Sequence, residues 1–243
     1  MVSTTKAKRI YFRYIFYMAV IAAMAAVIFY GCAKTKYTTA PDLKYSYYPL
    51  EVNKYITYSV DSIIYNDFNA SIDTFHHEMK DIFASTFLDN QGRLSYSITR
   101  YIRDSATQDW QENEVYAVTP TNTHIEYLEN NLRYIKMMFP VTLNNSWDGN
   151  AYIDPSTDDN LQYLDGWIYT YTSVDAPDQI GNLSFDSTVT VMEKDDSVSI
   201  PAFASRLYSK EEYANHIGLI YRHFIHWEQQ CSNYDQNGDC QAL

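Results

Sequence analysis

The sequence predicts an all-β protein, an antiparallel meander that forms a curved sheet, an open barrel or a sandwich with at most short helical turns. Several segments alternate apolar and polar residues with a period of two, which is typical of half-buried strands. Tyrosine is abundant at 24 residues and glycine is scarce at 7, a composition that favours extended strands. Apart from the apolar N-terminal segment, no stretch keeps a helical period over three turns.

The predicted strands of the first half begin with residues 55–65, where Ile56, Tyr58 and Val60 share one face. A second alternating run, 94–103, is expected to point inward at Leu94, Tyr96, Ile98 and Ile102. The turn Asn90-Gln91-Gly92 precedes this run, so residues 75–89 are predicted to be its hairpin partner. Further strands are predicted near 113–119, 122–128 and 132–139.

The second half is predicted to continue as strands after a polar loop region. Trp167, Tyr169 and Tyr171 fall on one face of a strand, and residues 185–191 alternate again. Ser209 and Glu212 have the spacing of a capping box, which predicts a single helical turn. A final strand is predicted over 219–228.

The N-terminus has the pattern of a secretory signal peptide. Four basic residues (Lys6, Lys8, Arg9 and Arg13) precede an uncharged apolar run from residue 14 to Gly31. The break at Gly31-Cys32 resembles the lipobox of bacterial lipoproteins, in which the cysteine is acylated and becomes the new N-terminus. A retained transmembrane helix is the alternative, because 18 residues are just enough to cross a bilayer.

These observations predict a signal peptide over 1–31, a flexible tether over 32–46 and one all-β domain over 47–243. Removing residues 1–31, which carry four basic and no acidic residues, changes the net charge from −12 to −16. Such a charge argues against nucleic acid as a partner and against electrostatic adsorption to anionic lipid. The predicted membrane contact is therefore the N-terminal lipid.

Two further cysteines, Cys231 and Cys240, bracket a short polar loop that contains an Asn237-Gly238 turn signal. In an oxidising compartment they are expected to form a disulfide, which would stabilise the C-terminal tail by about 2–3 kcal/mol. Two free thiols are the alternative.

No catalytic, metal or cofactor site is predicted. His223 and His226 are three residues apart and would point to opposite faces of a strand. The spacing of Asp235, Asn237 and Asp239 suits a calcium loop, but the glycine and glutamate that complete such a loop are missing. The acidic pairs Asp158-Asp159, Asp195-Asp196 and Glu211-Glu212 are expected to be solvated. No nucleophile elbow, P-loop or dinucleotide motif is present.

An aromatic group offers a candidate ligand platform. Trp147, Trp167, Tyr169 and Tyr171 could present rings to a sugar or peptide, because aromatic faces bind apolar ligand surfaces well. Packing of these rings in the core of a large curved sheet is the favoured alternative.

Several stretches resemble a family of uncharacterised cell-envelope lipoproteins of Bacteroidota. They are residues 47–52, 58–63, 139–141, 147–152, 185–191 and 213–221, among them Phe139-Pro140-Val141 and Trp147-Asp148-Gly149-Asn150. The resemblance implies an envelope address and a β fold without an assigned activity. This chain has Asn53, Asn145 and His216 where family members often carry glycine.

The resemblance also implies two finer expectations. The basic sequence after Cys32 suggests a protein that faces the periplasm. Four Asp-Ser sequences look like the O-glycosylation signal of this group, at Ser62, Ser105, Ser187 and Ser197.

Together these points predict a non-enzymatic lipoprotein that is anchored to the outer membrane, faces the periplasm, and serves a binding or structural role with an unknown envelope protein or glycan partner. A carbohydrate- or lipid-binding module of a transport or assembly complex is the alternative. A hydrolase is a second alternative, which would require a deep cleft that holds two carboxyls, or a Ser/His pair, within reach of each other.

Overall fold

A computed structural model describes residues 17–20, 40–66, 71–200, 203–230 and 235. The chain divides into two units, Met1–Pro41 and Asp42–Leu243. In the first unit, residues 17–20 are helical. Within the described ranges, no helix has the length and apolarity needed to cross a membrane. Cys32 and most of the predicted signal peptide lie outside these ranges.

The described part of the second unit is built from eleven strands in two antiparallel sheets. The first sheet contains β1 (Tyr55–Asn66), β2 (Ser71–Leu88), β3 (Leu94–Arg103), β4 (Gln111–Pro120), β5 (His124–Glu129) and β6 (Leu132–Met138). The second contains β7 (Ser146–Asp148), β8 (Ile168–Ile180), β9 (Leu183–Ile200), β10 (Phe203–Ala214) and β11 (Gly218–Gln230). In both sheets the strands are neighbours in chain order, so each is a meander.

Three short 3₁₀ helices accompany the strands: Tyr45–Tyr47, Pro155–Thr157 and Asp159–Leu164. The last two begin after aspartates that cap them, because Asp154 accepts a hydrogen bond from the Ser156 backbone N–H and Asp158 accepts one from Asn160. The predicted all-β meander with only short helical turns is therefore confirmed.

The register of the first sheet confirms the predicted hairpin. β2 pairs with β3 so that Ile82 faces Thr99, and Gly92 supplies the positive φ of +75° that the turn requires. One inward assignment is wrong: Leu94 is half exposed. It pairs with the exposed Leu88 at the end of the hairpin, next to the turn.

The predicted helical turn at Ser209–Glu212 is also wrong, because these residues lie inside β10. β10 is a central strand that pairs with β9 on one side and β11 on the other. Backbone pairing along both edges satisfies the N–H and C=O groups that a helical turn would have to satisfy locally. The capping-box spacing at Ser209 is therefore overridden by tertiary structure.

The core forms between the inner faces of the two sheets. It is built mainly from aromatic and aliphatic side chains of β3–β6 and β7–β10. Tyr47 precedes β1 and is fully buried there; its hydroxyl donates to Asp175 at 2.7 Å and lies 2.7 Å from the Ser187 hydroxyl. Leu43 packs on this core, and Lys44 pairs with Asp175. Part of the segment assigned to the tether therefore lies against the sheets.

Several turns use residues in the left-handed region of the backbone. Asn53, Asn144 and His216 have φ values of +70°, +64° and +61°. Gly149 serves a different purpose: a Cβ there would lie 2.3 Å from the Tyr169 ring, so only glycine permits this contact.

Candidate functional site

A charged layer lies between the two sheets, beside the apolar core. Its centre is Lys136 on β6, whose ammonium donates to Glu193 on β9 and Glu211 on β10, at 2.8 Å each. The three side chains are only 6%, 1% and 3% exposed. Buried charges cost free energy unless they are paired and hydrogen-bonded, and here both carboxylates share one cation.

Two hydroxyl groups donate the remaining hydrogen bonds to the two carboxylates. The Ser209 hydroxyl donates to Glu193 at 2.5 Å, and the Tyr213 hydroxyl donates to Glu211 at 2.5 Å. Ser209, Glu211 and Tyr213 alternate along β10 and therefore project from the same face. Each carboxylate oxygen of the pair thus has a donor.

Irregular pairing helps to position the central groups. The register shifts between Ile125 and Glu126 on β5, which leaves Lys136 as the extra residue on β6. A second shift, between Ser209 and Lys210, leaves Glu193 as the extra residue on β9. Such bulges bend a strand and re-aim a side chain, and these two occur where the cation and one of its carboxylates meet.

The environment separates the pKa values of the two glutamates. Burial raises the pKa of both. For Glu211, the charges of Lys136 and Arg222 and the hydrogen bonds from Lys136 and Tyr213 outweigh burial, and its pKa is lowered to about 2. For Glu193, burial and the neighbouring charge of Glu211 prevail over Lys136, and its pKa is raised. The first proton that this pair takes up therefore goes to Glu193.

The layer continues across the first sheet. Arg100 on β3 donates to both carboxylate oxygens of Asp81 on β2, at 2.7 Å each, and to the Tyr116 hydroxyl at 3.0 Å. Between this pair and Lys136 lie Glu129 and Arg222. We refer to these seven groups as the charged layer: Asp81, Arg100, Glu129, Lys136, Glu193, Glu211 and Arg222.

Two cavities border the charged layer. The smaller, of about 60 Å³, lies among the start of β1, the start of β11 and Tyr48. The larger, of about 210 Å³, has five aromatic side chains in its wall: Tyr134, Tyr163, Trp167, Tyr169 and Phe224. Lys136 and Arg222 line both cavities. We call the larger one the aromatic pocket.

The predicted ligand platform is part of the core. Trp147, Trp167, Tyr169 and Tyr171 are all buried. The Trp147 indole N–H donates to the Ile135 carbonyl at 2.7 Å, and its ring lies 4.7 Å from that of Tyr171. The favoured alternative of core packing is therefore what the structure shows, although Trp167 and Tyr169 also reach the wall of the aromatic pocket.

The predicted modification sites are distributed differently. Cys32, Cys231 and Cys240 lie outside the described residues, so lipidation and the disulfide remain predictions. Of the four predicted glycosylation sites, Ser105 and Ser197 are exposed, and Ser62 is partly buried. Ser187 is partly buried against the Tyr47 hydroxyl.

The acidic pairs behave in two ways. Asp158-Asp159 and Asp195-Asp196 are exposed, as expected. The expectation that Glu211-Glu212 is solvated is wrong, because both residues are buried in β10 and point to opposite faces. Glu211 joins the charged layer, and Glu212 pairs with Lys210 at 2.7 Å.

His223 and His226 on β11 each contact an aromatic ring. His226 stacks on Tyr163 with ring centroids 4.4 Å apart, and His223 meets the edge of Tyr208 at 5.2 Å. Both lie on β11, where their spacing puts them on opposite faces. Among the residues that the structure describes, no three His, Cys, Asp or Glu side chains are grouped to hold a metal ion.

The buried tyrosines predict a loss of stability above pH 10. Burial raises the pKa of Tyr169, Tyr171 and Tyr213 above the ordinary value of 10. Each of these tyrosines stays neutral in the folded state, whereas the same tyrosine ionises in the unfolded chain. Its contribution to the free energy of unfolding is therefore complete below pH 10 and is lost as the pH rises further. The free energy of unfolding should fall by about 1.4 kcal/mol per pH unit for each group.

Urea unfolding at pH 9, 10 and 11 measures this effect. We expect the midpoint to fall between pH 10 and pH 11. A constant midpoint, with all tyrosines already ionised in the folded protein by ultraviolet absorbance, would show that the rings are solvated.

Comparisons with known proteins identify no relative: the chain matches no protein-family model, no curated protein and no solved structure. The fold and the site themselves define a class, an antiparallel two-sheet β protein with a charged layer and an aromatic pocket between its sheets.

Proposed function

We propose that the protein is a non-enzymatic lipoprotein of the bacterial cell envelope that binds a small polar molecule between its two sheets. It is anchored through Cys32 to the outer membrane and faces the periplasm. The N-terminal sequence supports the address, because a basic start and an apolar run end at Gly31-Cys32. The aromatic pocket supports the binding role.

The observation that carries the binding role is the composition of the pocket. Binding sites are concave, with aromatic walls and a few polar groups that fix the orientation of the ligand. The aromatic pocket has five ring-bearing residues in its wall and Glu129, Lys136, Glu193 and Arg222 on its charged side. A hydrocarbon chain there would separate these charges from water without replacing their hydrogen bonds. The pocket therefore favours a polar ligand over a lipid.

The central groups of the charged layer support binding over catalysis. Lys136, Glu193 and Glu211 are hydrogen-bonded to one another and to Ser209 and Tyr213. An acid or base that is held in this way is already engaged and would have to break a buried ion pair to reach a substrate. The arrangement suits a rigid, pre-organised wall.

A hydrolase is the second candidate, because Glu193 and Glu211 lie on either side of one ammonium beside a pocket and their pKa values are separated. Paired carboxyls of this kind can act as acid and base. This candidate predicts substrate turnover that Glu193→Gln abolishes. The binding proposal predicts bound substrate without turnover.

Metabolic labelling with an alkynyl fatty acid tests the anchor. The full chain, expressed in a Gram-negative bacterium, should incorporate the label, and Cys32→Ser should not. Cys240→Ser removes a different cysteine and should be labelled like the unchanged protein. Mass spectrometry that finds an intact, unlipidated N-terminus in the mature protein would overturn the address.

A methyl NMR screen of the β unit in the full chain tests the binding role. Leu132 and Leu164 line the aromatic pocket, whereas Leu183 is exposed and lies elsewhere. We expect compounds of two sets, monosaccharides or amino acids, to shift the first two methyl signals and leave Leu183 unchanged, whereas a third set, short fatty acids, should shift none of them. If none of the sets shifts them, a binding role for this pocket is excluded at the concentrations used.

A further inference from the structure

The charged groups that border the aromatic pocket differ in how well they are paired. Arg222 approaches Glu211 at 3.6 Å and Glu129 at 4.0 Å, and Glu129 approaches Arg100 at 3.9 Å. These separations exceed those of good hydrogen bonds. Among the described residues, the Arg222 guanidinium and the Glu129 carboxylate form no side-chain hydrogen bond. By contrast, the ammonium of Lys136 is held at 2.8 Å by two carboxylates.

Arg222 and Glu129 therefore have hydrogen-bonding capacity that faces the pocket. A guanidinium carries five N–H donors and a carboxylate only accepts. The Arg222 side chain is 41% exposed and lines the pocket together with Glu129. A hydroxyl placed between them can accept from Arg222 and donate to Glu129 at once, which neither a pure donor nor a pure acceptor can do.

The charge balance of the pocket disfavours an anionic ligand. The lining of the pocket holds two carboxylates, Glu129 and Glu193, and two cations, Lys136 and Arg222. A third carboxylate, Glu211, lies outside the lining but contacts both cations. One of these cations is already bound on two sides. An added negative charge would be repelled by more groups than attract it, whereas a neutral molecule with several hydroxyls meets no such penalty.

The aromatic wall adds a second element of recognition. Tyr163 and Trp167 pack edge to face with centroids 6.3 Å apart, and Phe224 lies 6.5 Å from Tyr163. Ring faces attract apolar surfaces such as the C–H face of a saturated ring. The volume of about 210 Å³ is below the range of drug-sized sites, which favours one ring over a chain of rings.

We propose that the aromatic pocket is a subsite for a single neutral sugar ring, with the Arg222–Glu129 pair bonding adjacent hydroxyls and the Tyr163 and Phe224 side chains packing on its C–H face. This inference rests on the proposed binding function and specifies its ligand class. It assigns selectivity to Arg222 and Glu129, whose nearest charged groups within the described ranges lie 3.6–4.0 Å away.

Methyl NMR titrations with defined probes test the inference on the full chain. The probes are D-glucose, D-galactose, D-mannose, N-acetyl-D-glucosamine, D-glucuronate and cyclohexanol. We expect at least one neutral sugar to shift the Leu132 and Leu164 signals. Glucuronate should bind at least tenfold more weakly than glucose because of its charge. Cyclohexanol, which has one hydroxyl and no adjacent pair, should also be at least tenfold weaker than the best sugar.

Substitutions at Glu129 and Arg222 test whether these two residues contact the sugar. Glu129→Gln keeps the shape of the side chain and should weaken the best sugar at least tenfold, whereas Glu228→Gln, an exposed glutamate of β11 outside the pocket, should leave binding unchanged. Arg222→Met should act like Glu129→Gln, and Arg206→Met, which lies outside the pocket, should have no effect. The glucose–glucuronate comparison needs no variant and remains decisive if a substitution impairs folding.

The outcomes separate this inference from the proposed function. If amino acids shift the pocket signals and no sugar does, the sugar subsite is wrong and the binding of a polar molecule stands. If only fatty acids shift them, both proposals are wrong. If no compound of any set shifts them, both fail. Equal sugar affinity in Glu129→Gln, Arg222→Met and the unchanged protein would also overturn the subsite.

Discussion

Replacing Lys136 with methionine is expected to lower the free energy of unfolding by about 3–5 kcal/mol at pH 7. The substitution removes the ammonium that donates to both Glu193 and Glu211 and leaves two carboxylates buried beside each other. Methionine has a similar length and adds no charge, so loss of packing contributes little. Urea unfolding followed by tryptophan fluorescence measures the effect.

Two comparisons isolate the buried charge as the cause. Lys194→Met removes an ammonium that lies 3.8 Å from the exposed Asp196, and such surface pairs contribute about 0–1 kcal/mol. The triple variant Lys136→Met, Glu193→Gln and Glu211→Gln removes all three charges and should recover much of the loss. If Lys136→Met lowers the free energy of unfolding no more than Lys194→Met does, then Lys136, Glu193 and Glu211 are open to solvent.

Replacing Trp147 with alanine is expected to lower the free energy of unfolding by about 3–5 kcal/mol. The side chain is 8% exposed and packs against Tyr169 and Tyr171. Its removal would leave a cavity and would also deprive the buried Ile135 carbonyl of the indole hydrogen bond.

Trp227→Ala is the matched control, because Trp227 lies on the edge strand β11 and is 39% exposed. Urea or thermal unfolding measures both variants, and Trp227→Ala should lower the free energy of unfolding much less than Trp147→Ala. If the two substitutions had equal and small effects, Trp147 would be an exposed platform residue, as the less favoured prediction had it.

Much of the fold can be predicted because the signal is local. Alternation over 55–65 identifies β1, and the turn at Gly92 fixes the β2–β3 hairpin. The aromatic residues Trp167, Tyr169 and Tyr171 share a buried face, as their spacing indicates. Strand ends are less predictable. β2 and β9 each run for 18 residues, because each pairs with one shorter neighbour along its first part and with another along its last part.

The charged layer was not predicted, although part of its signal is in the sequence. Arg100 stands between Ile98 and Ile102 on the same face, and Glu193 continues the alternation of Val189 and Val191. A charged residue in phase with buried neighbours indicates a partner on the opposite element. Which partner it meets depends on how the two sheets face each other, and that arrangement is not a local property.

The β-bulges on β6 and β9 cannot be predicted from the sequence, for a different reason. Each depends on which residues of two strands pair, and alternation within one strand does not specify this. The shift on β6 makes Lys136 the extra residue, and the shift on β9 does the same for Glu193. The polar neighbours of Glu211 (Ser209, Lys210 and Glu212) favour a solvated turn, and nothing local to Glu211 indicates that it meets Lys136.

Lys136, Glu193 and Glu211 are enclosed between the two sheets, and carboxyl NMR tests this enclosure most directly. The side-chain carboxyl carbons of the two glutamates, assigned with Glu193→Gln and Glu211→Gln, can be followed from pH 2 to pH 8. We expect Glu211 to titrate near 2 and Glu193 above its ordinary value of 4.5. Midpoints near 4.5 for both glutamates would mean that water reaches them freely, and would contradict the enclosed charged layer.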